Sequence, residues 1–208
     1  NPAYKEIADK AIEKMRNSID KEEENIFNLI SFVDLVNHED LTRDKKYFER
    51  AIQKAPDFAK AYVFLGLEAV SHGDWTRALE YYKKALEINS NYITALMSQS
   101  FVFIKIQEWE KAREALIKVI ELDPENPFAH SSISQVYYMM QDYSSAILHA
   151  KKAIDKFPID ANLYFNLGMM YQKNKQIQEA IESFEKGLKI SPYDSRAIKK
   201  LNELKKLR

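Results

Sequence analysis

The chain has 208 residues, of which 46% are hydrophobic, and its 31 basic residues balance its 31 acidic residues. This composition is sufficient for a buried core and argues against a polyanion partner recruited by net charge. The absence of cysteine excludes disulfide bonds, thiolate metal sites and cysteine nucleophiles. No stretch approaches the eighteen apolar residues expected of a membrane span, and the first residues lack the pattern of a signal peptide. The sequence does not indicate a compartment.

The first predicted element is an amphipathic helix within residues 1–24. Apolar residues recur there at intervals of three and four, which places them on one face of a helix. These residues are Tyr4, Ile7, Ala11, Met15 and Ile19. We interpret this segment as an N-terminal cap or as the remnant of an earlier repeat.

Residues 25–58 follow as a degenerate pair of helices. The segment KKYFERAIQKAP matches the second helix of the pairs that come later. Phe32 and Asp44, however, occupy positions where the later pairs carry small residues. We therefore expect the first helix of this pair to be shifted or differently packed.

Four helix pairs follow with a period of 34 residues, at 59–92, 93–126, 127–160 and 161–194. The recurring positions are Trp75, Trp109, Tyr143 and Ile177, then Ala78, Ala112, Ala146 and Ala180, and then Pro56, Pro124, Pro158 and Pro192. In the first complete pair the predicted helices are Ala59–Ser71 and Trp75–Ile88, joined by a turn at Gly73 and Asp74. Small residues recur where the paired helices should cross closely, at Gly66, Ser100, Ser134 and Gly168.

The last predicted element is a capping helix at 195–208. Ile198, Leu201 and Leu204 share one of its faces, as expected for a helix that covers the final pair. Its six basic residues against one glutamate give a net charge of +5, which leaves −5 for the rest of the chain. A run of this kind usually forms a solvated face.

The repeated landmarks resemble the tetratricopeptide repeat (TPR) family, whose pattern has an aromatic, Leu-Gly, a large residue, Ala, an aromatic, Ala and Pro. The match in 59–92 consists of Tyr62, Leu65, Gly66, Ala78, Tyr82 and Ala85, and the match in 161–194 of Tyr164, Leu167, Gly168, Tyr171, Ala180, Phe184 and Pro192. The middle repeats depart at Gln99, Leu116, His130 and Ala150. The resemblance implies an all-α fold, a right-handed superhelical α-solenoid of stacked antiparallel helix pairs. It also implies that the first helices line a concave surface and that the protein is a non-catalytic scaffold or adaptor.

One face of the first helices carries apolar residues where a purely solvated face would be mostly charged. We interpret it as a groove for an apolar or amphipathic segment of another protein. The predicted contacts are Val63, Phe64, Leu67, Met97, Phe101, Phe128, Gln135, Tyr138, Phe165, Asn166 and Met169. The alternative is that the chain's own curvature or its N-terminal helix buries this stripe.

Family members that bind acidic C-terminal tails use basic and amide residues on three successive first helices. In this chain the last such frame presents Ser131, Gln135, Asn166, Arg196 and Lys200, which matches at three of five positions. Arg196 and Lys200 are therefore candidate contacts for an acidic peptide.

Catalytic patterns are missing from the sequence. It contains no G-x-S-x-G, no glycine-rich phosphate loop and no H-E-x-x-H, and His38, His72, His130 and His149 have no metal-ligand spacing. We expect neither an enzyme, a cofactor nor a metal, and no nucleic-acid partner. Two alternatives stay open: a homo-oligomer in which the N-terminal helix fills a groove, and a targeting module cut from a larger enzyme.

Overall fold

The structure is a computed structural model that describes residues 10–17, 19, 26–35 and 41–207. These residues are helical apart from the short turns and ends between helices. The chain forms two compact bodies, Asn1–Val102 and Phe103–Arg208, which we call the first body and the second body. The predicted all-α architecture of packed helix pairs is confirmed.

In the first body, residues 10–17 form a helical segment. The further helices of this body are α1 (Ile26–Leu35), α2 (Leu41–Lys54), α3 (Ala59–Ser71), α4 (Trp75–Ile88) and most of α5 (Ile93–Lys105). The second body contains α6 (Trp109–Leu122), α7 (Pro127–Met139), α8 (Tyr143–Lys156), α9 (Ala161–Lys173), α10 (Ile177–Ile190) and α11 (Ser195–Lys205). The helices predicted at Ala59–Ser71 and Trp75–Ile88 are observed with those bounds.

One position in the turn of each complete helix pair has a left-handed backbone conformation. Gly73 has φ 74°, and the residues that follow it at intervals of 34 are Gln107 (φ 62°), Gln141 (φ 64°) and Lys175 (φ 62°). The next residue caps the second helix in two of these turns, because Asp74 and Asp142 each accept a hydrogen bond from the third backbone N–H beyond them. The turn geometry therefore repeats even where glycine does not.

The predicted small residues lie where the paired helices touch. A Cβ atom on Gly66 would collide with the ring of Tyr82, and one on Gly168 would lie 2.8 Å from the ring of Phe184. Ser100 and Ser134 are buried, and each hydroxyl donates to the carbonyl three residues earlier. The close crossing therefore leaves no unsatisfied serine hydroxyl at these two positions.

The degenerate first pair is completed by the N-terminal segment. Phe32 and Asp44, which replace small residues, are fully buried. Arg16 donates two hydrogen bonds to Asp44 at 2.8 and 2.7 Å, and its guanidinium lies 5.8 Å from the centre of the Phe32 ring. The N-terminal helix thus neutralises the buried carboxylate and covers the larger ring.

The apolar face of the N-terminal helix differs from the predicted stripe. Ile12 and Ile19 are buried in the same core as Phe32, with Met15 packed against that core. Ala11, which the pattern placed on this face, is exposed. Tyr4 and Ile7 lie outside the described residues.

The capping helix α11 buries Ala197, Leu201 and Leu204 against the core formed by α8, α9 and α10. Ile198 is exposed, so the predicted face was wrong at that residue. The spacing of four and three from Ala197 describes the buried face better than the sequence pattern did.

Candidate functional site

An apolar groove in the second body contains four of the predicted contacts. We call it the methionine groove; its volume is about 380 Å³. It is lined by Ile104, Trp109, Gln135, Tyr138, Met139, Asn166, Met169 and Met170. Its size lies at the lower end of the range of about 300–1,000 Å³ that is usual for ligand pockets.

Two first helices supply most of the lining through the same spacing. Gln135, Tyr138 and Met139 lie at positions i, i+3 and i+4 of α7, and Asn166, Met169 and Met170 repeat that spacing on α9. The N-terminus of each of these helices is capped by a side chain. Asn126 accepts from the backbone N–H of Ala129, and Asp160 accepts from that of Asn162.

The methionine groove combines exposed thioethers with amides. Met139 and Met169 are 51% and 42% exposed, whereas Met170 is 2% exposed and belongs to the core below. The amide side chains of Gln135 and Asn166 can donate and accept hydrogen bonds at the same surface. The groove can therefore receive an apolar side chain and a peptide backbone together.

A second cavity, of about 400 Å³, continues from the methionine groove and shares Asn166 and Met169 with it. We call it the basic cavity; its other lining residues are Asn162, Phe165, Phe184, Asp194, Arg196, Ala197 and Lys200. The Asp194 carboxylate accepts from the backbone N–H of Ala197 at 2.8 Å and is occupied as a helix cap. Lys200 lies 3.5 Å from Glu203, across a partly exposed ion pair. Arg196 and Lys200 against Asp194 leave the cavity lining net positive.

Phe165 forms the wall between the basic cavity and the core. Its ring stacks on Phe184 with centroids 6.1 Å apart, and it lies where a Cβ atom on Gly187 would be. Gly187 stands at a position that is Ala85 and Ala153 in other repeats. The missing methyl group therefore sets the position of Phe165.

The first body does not expose the predicted contacts in the same way. Phe64 is 4% exposed and stacks on Phe48 at 4.8 Å, and Val63 is 3% exposed. Both belong to hydrophobic cores. Their prediction as partner contacts was wrong, because neither side chain can meet a partner without unfolding its surroundings. Spacing within one helix could not predict this burial, because it does not describe what packs against each helix pair. Leu67 and Met97 are partly buried, and Phe101 is 45% exposed.

Phe128 is exposed but lies at a different cavity from the methionine groove. Its ring contacts that of Phe157 at 5.4 Å. Together with Ile159 the two rings line an edge cavity of about 520 Å³ at the start of α7 and α9. Phe128 is therefore separate from the cluster of Gln135, Tyr138, Asn166 and Met169 that the sequence joined to it.

The predicted contacts omitted four residues that line the methionine groove: Ile104, Trp109, Met139 and Met170. Trp109 coincides with a repeat landmark, which favours a structural interpretation, and Met170 lies one residue outside the predicted face.

Sequence reasoning also missed the contact of His130 with His149, whose Nδ1 atoms are 2.9 Å apart. Burial lowers the pKa of His149 to about 4, helped by the neighbouring His130 and Lys152. The two histidines are 19 positions apart in the sequence, which matches no metal-ligand pattern that would reveal this pair.

Within the described ranges, no group of three or more His, Cys, Asp or Glu residues could hold a metal ion. In the same part of the chain, every helix is too short or too polar to cross a membrane. The methionine groove and the basic cavity are lined mainly by apolar, amide and basic side chains, with Asp194 as the acidic member.

Family models described as tetratricopeptide repeat match residues 33–93, 69–136 and 161–194. No curated protein matches the chain in sequence.

The solved structures that are similar in fold include the following three. YrrB, described as a TPR protein with an unusual peptide-binding site, is 19% identical with a TM-score of 0.75, over 88% of this chain and 95% of its own. MamA from Desulfovibrio magneticus RS-1 is 22% identical with a TM-score of 0.68, over 70% of this chain and 82% of its own. A thermophilic TPR protein from Thermus thermophilus is 18% identical with a TM-score of 0.59, over 84% of this chain and 91% of its own. With three family models that together span most of the sequence, the chain belongs to the tetratricopeptide repeat family, whose repeats are protein-interaction modules.

Proposed function

We propose that the second body binds an amphipathic segment of a partner protein in the methionine groove and the basic cavity, without catalysis. The observation that carries this proposal is the pair of half-exposed methionines, Met139 and Met169, beside Trp109 and Tyr138 in one concave surface. Exposed thioethers in a concavity leave apolar surface in water that a partner side chain would cover. The described peptide-binding site of YrrB, a protein of the same fold, agrees with this use of the fold.

The lining of the methionine groove determines what fits. Methionine side chains are unbranched and polarisable, so they adapt to the shape of an incoming aliphatic or aromatic residue. Trp109 and Tyr138 add rigid rings of the kind that dominate binding energy at interfaces. Gln135 and Asn166 supply hydrogen bonds to the partner's backbone and fix its direction.

The basic cavity sets a charge preference for the neighbouring part of the partner. Arg196 and Lys200 are close to Asn166, which also lines the methionine groove. A segment that places an apolar residue in the groove would bring the next few residues to these cations. We therefore propose that the partner carries an acidic residue or a terminal carboxylate a few positions from its apolar anchor.

The test is selection of peptides from a random display library against the full chain, followed by measurement of affinity for the selected sequences. Met169→Glu places a charge in the methionine groove, and we expect it to weaken binding at least tenfold. The matched control is Leu148→Glu, because Leu148 is 56% exposed on α8 and lines neither cavity. Equal affinities of both variants and the wild type would refute the groove.

The charge preference has its own test. The double variant Arg196→Ala with Lys200→Ala should weaken binding of acidic peptides severalfold and reduce the dependence of affinity on salt. Lys199→Ala is the control, since Lys199 is an exposed cation of α11 that does not line the basic cavity. If Lys199→Ala and the double variant behave alike, general charge attraction explains the preference and the cavity does not.

The rival hypothesis fills the groove with the chain's own N-terminal helix. Ile12 and Ile19 are buried among Phe32 and other residues of the first body. To reach a groove in another copy, the helix would have to expose these side chains and break the contact of Arg16 with Asp44. The packing therefore favours a separate partner as the occupant.

A further inference from the structure

All of the oxidisable sulfur in this chain is methionine sulfur. The sequence has six methionines and no cysteine. The structure describes all six methionines, and the two that are more than two-fifths exposed, Met139 and Met169, both line the methionine groove. A thioether reacts with a peroxide only when the oxidant reaches the sulfur, so exposure controls the reaction.

The same cavity contains an internal reference for that reaction. Met170 follows Met169 directly in α9 but is 2% exposed and packs in the core with Tyr171 and Phe184. The two neighbouring methionines therefore share a helix and a local sequence but differ in access to solvent. The difference in exposure predicts that Met169 oxidises faster than Met170.

We propose that Met139 and Met169 form a peroxide-sensitive modification site that controls the methionine groove. This inference rests on the proposed function of the groove. The co-reactant is hydrogen peroxide or an organic hydroperoxide. The sulfur lone pair attacks one peroxide oxygen, an S–O bond forms and the O–O bond breaks. Sulfur is oxidised by two electrons, the peroxide is reduced, and the second oxygen leaves as water or an alcohol after taking the proton.

The product changes what the groove can bind. A sulfoxide is polar and carries a strong hydrogen-bond acceptor, whereas the thioether is apolar. In the empty groove that oxygen meets water, so the fold is not disturbed. When a partner covers the groove with an apolar side chain, the oxygen loses its water, which weakens binding.

The amides of the groove do not cancel this effect. Gln135 and Asn166 could donate to a sulfoxide oxygen, but those donors would then be taken from the partner's backbone. The modified groove therefore loses an apolar contact and gains competition for its hydrogen bonds. We expect roughly tenfold or greater loss of affinity.

The first experiment measures site selectivity on the full chain without any partner. The protein is exposed to dilute hydrogen peroxide, quenched with catalase and mapped by peptide mass spectrometry over time. We expect Met139 and Met169 to oxidise at least tenfold faster than Met170, with an unchanged circular dichroism spectrum. Similar rates at Met170, or loss of helicity along with oxidation, would overturn the inference.

The second experiment measures binding of a display-selected peptide to reduced, oxidised and repaired protein. Affinity should fall on oxidation and return after treatment with the two methionine sulfoxide reductases. The double variant Met139→Leu with Met169→Leu is compared with its own untreated sample, and its affinity should be the same before and after peroxide. Bound peptide should also slow the oxidation of both methionines in the wild type.

The outcomes separate this inference from the proposed function. Reduced protein that binds with the same affinity after complete oxidation of both methionines would overturn the modification site and leave the groove in place. Reduced protein that selects no peptide would overturn the proposed function, and the control of binding inferred here would fall with it.

Discussion

The guanidinium of Arg16 holds the fully buried carboxylate of Asp44 through two hydrogen bonds of 2.8 and 2.7 Å. Asp44 stands one period before Ala78, at a position that is alanine in the four later repeats. The charge pair thus replaces an apolar contact at the start of the repeat array and ties the N-terminal helix to α2.

Removal of Arg16 should destabilise the protein more than removal of Asp44. Arg16→Ala leaves a buried carboxylate unpaired and should lower the free energy of unfolding by about 3–5 kcal/mol. Asp44→Ala restores the repeat's small residue and leaves Arg16 close enough to solvent to turn outward, so we expect a loss of only about 1 kcal/mol. Urea denaturation of both variants gives the comparison. Equal losses would mean that an unpaired Asp44 carboxylate carries no extra cost and would contradict this account.

The left-handed turn residues give a prediction with a built-in comparison. Gly73→Ala should destabilise by about 1 kcal/mol, because a side chain at φ 74° strains the backbone. Gln141→Gly relieves that strain at the equivalent turn of the second body, and part of the gain is lost to the greater freedom of glycine in the unfolded chain. We expect a net stabilisation of about 0.5 kcal/mol by chemical denaturation. A destabilising Gln141→Gly would contradict this account.

Much of the fold could be predicted because the repeat constrains it many times over. The helix pairs reuse a small crossing residue and a turn of the same geometry, so Gly66 and Gly168 report one geometry. The degenerate pair could not be predicted in this way. Phe32 and Asp44 break the pattern, and their compensation by Arg16 comes from outside the repeat.

The candidate site was only partly predictable. Helical spacing correctly brought Gln135, Tyr138, Asn166 and Met169 to one surface, because spacing within a helix is fixed. It failed for Phe64 and Val63, whose exposure depends on packing between pairs. It also joined Phe128 to the groove, although the contact of Phe128 with Phe157 directs that ring to the edge cavity.

The hydroxyl of Tyr82 is buried in the first body and has no hydrogen-bond partner among the described residues. Burial raises the pKa of the Tyr82 hydroxyl, and the nearby Ser98 partly offsets that rise. The two hydroxyls are nevertheless not in hydrogen-bonding geometry. Phenylalanine occupies the equivalent position at Phe48 and Phe184. Tyr82→Phe should therefore be neutral or stabilise by up to about 1 kcal/mol in thermal or urea denaturation. A loss of more than about 1 kcal/mol would reveal a partner for the hydroxyl.

The histidine pair predicts a dependence of stability on pH. His130 Nε2 donates to the carbonyl oxygen of Pro124 at 3.0 Å, so its Nδ1 accepts from His149 Nδ1 when both rings are neutral. Because burial lowers the folded pKa of His149 to about 4 from 6.5, the unfolded chain binds the proton first as pH falls. This contribution to stability is complete above pH 6.5 and is lost as pH falls towards 4.

His149 is only partly buried, so we expect its contribution to be about 1–2 kcal/mol. His149→Asn keeps an N–H donor for His130 and removes the titration. The free energy of unfolding is measured for the wild type and for His149→Asn at about pH 7.5 and about pH 5. It should decrease more for the wild type than for the variant between these two pH values. The same decrease in both would show that other groups cause the acid sensitivity.

Gly187 gives a prediction that links stability to the basic cavity. Gly187→Ala adds a methyl group where the Phe165 ring lies, so the ring must move away from Phe184. Overpacking of this kind should lower the free energy of unfolding by about 1–3 kcal/mol. Because Phe165 also lines the basic cavity, the displaced ring should reduce the room beside Arg196. The double variant Gly187→Ala with Phe165→Val creates the combination found at Ala85 and Val63 and should recover most of the lost stability. Urea denaturation of the three variants tests the coupling, and additive losses would show that Gly187 and Phe165 act independently.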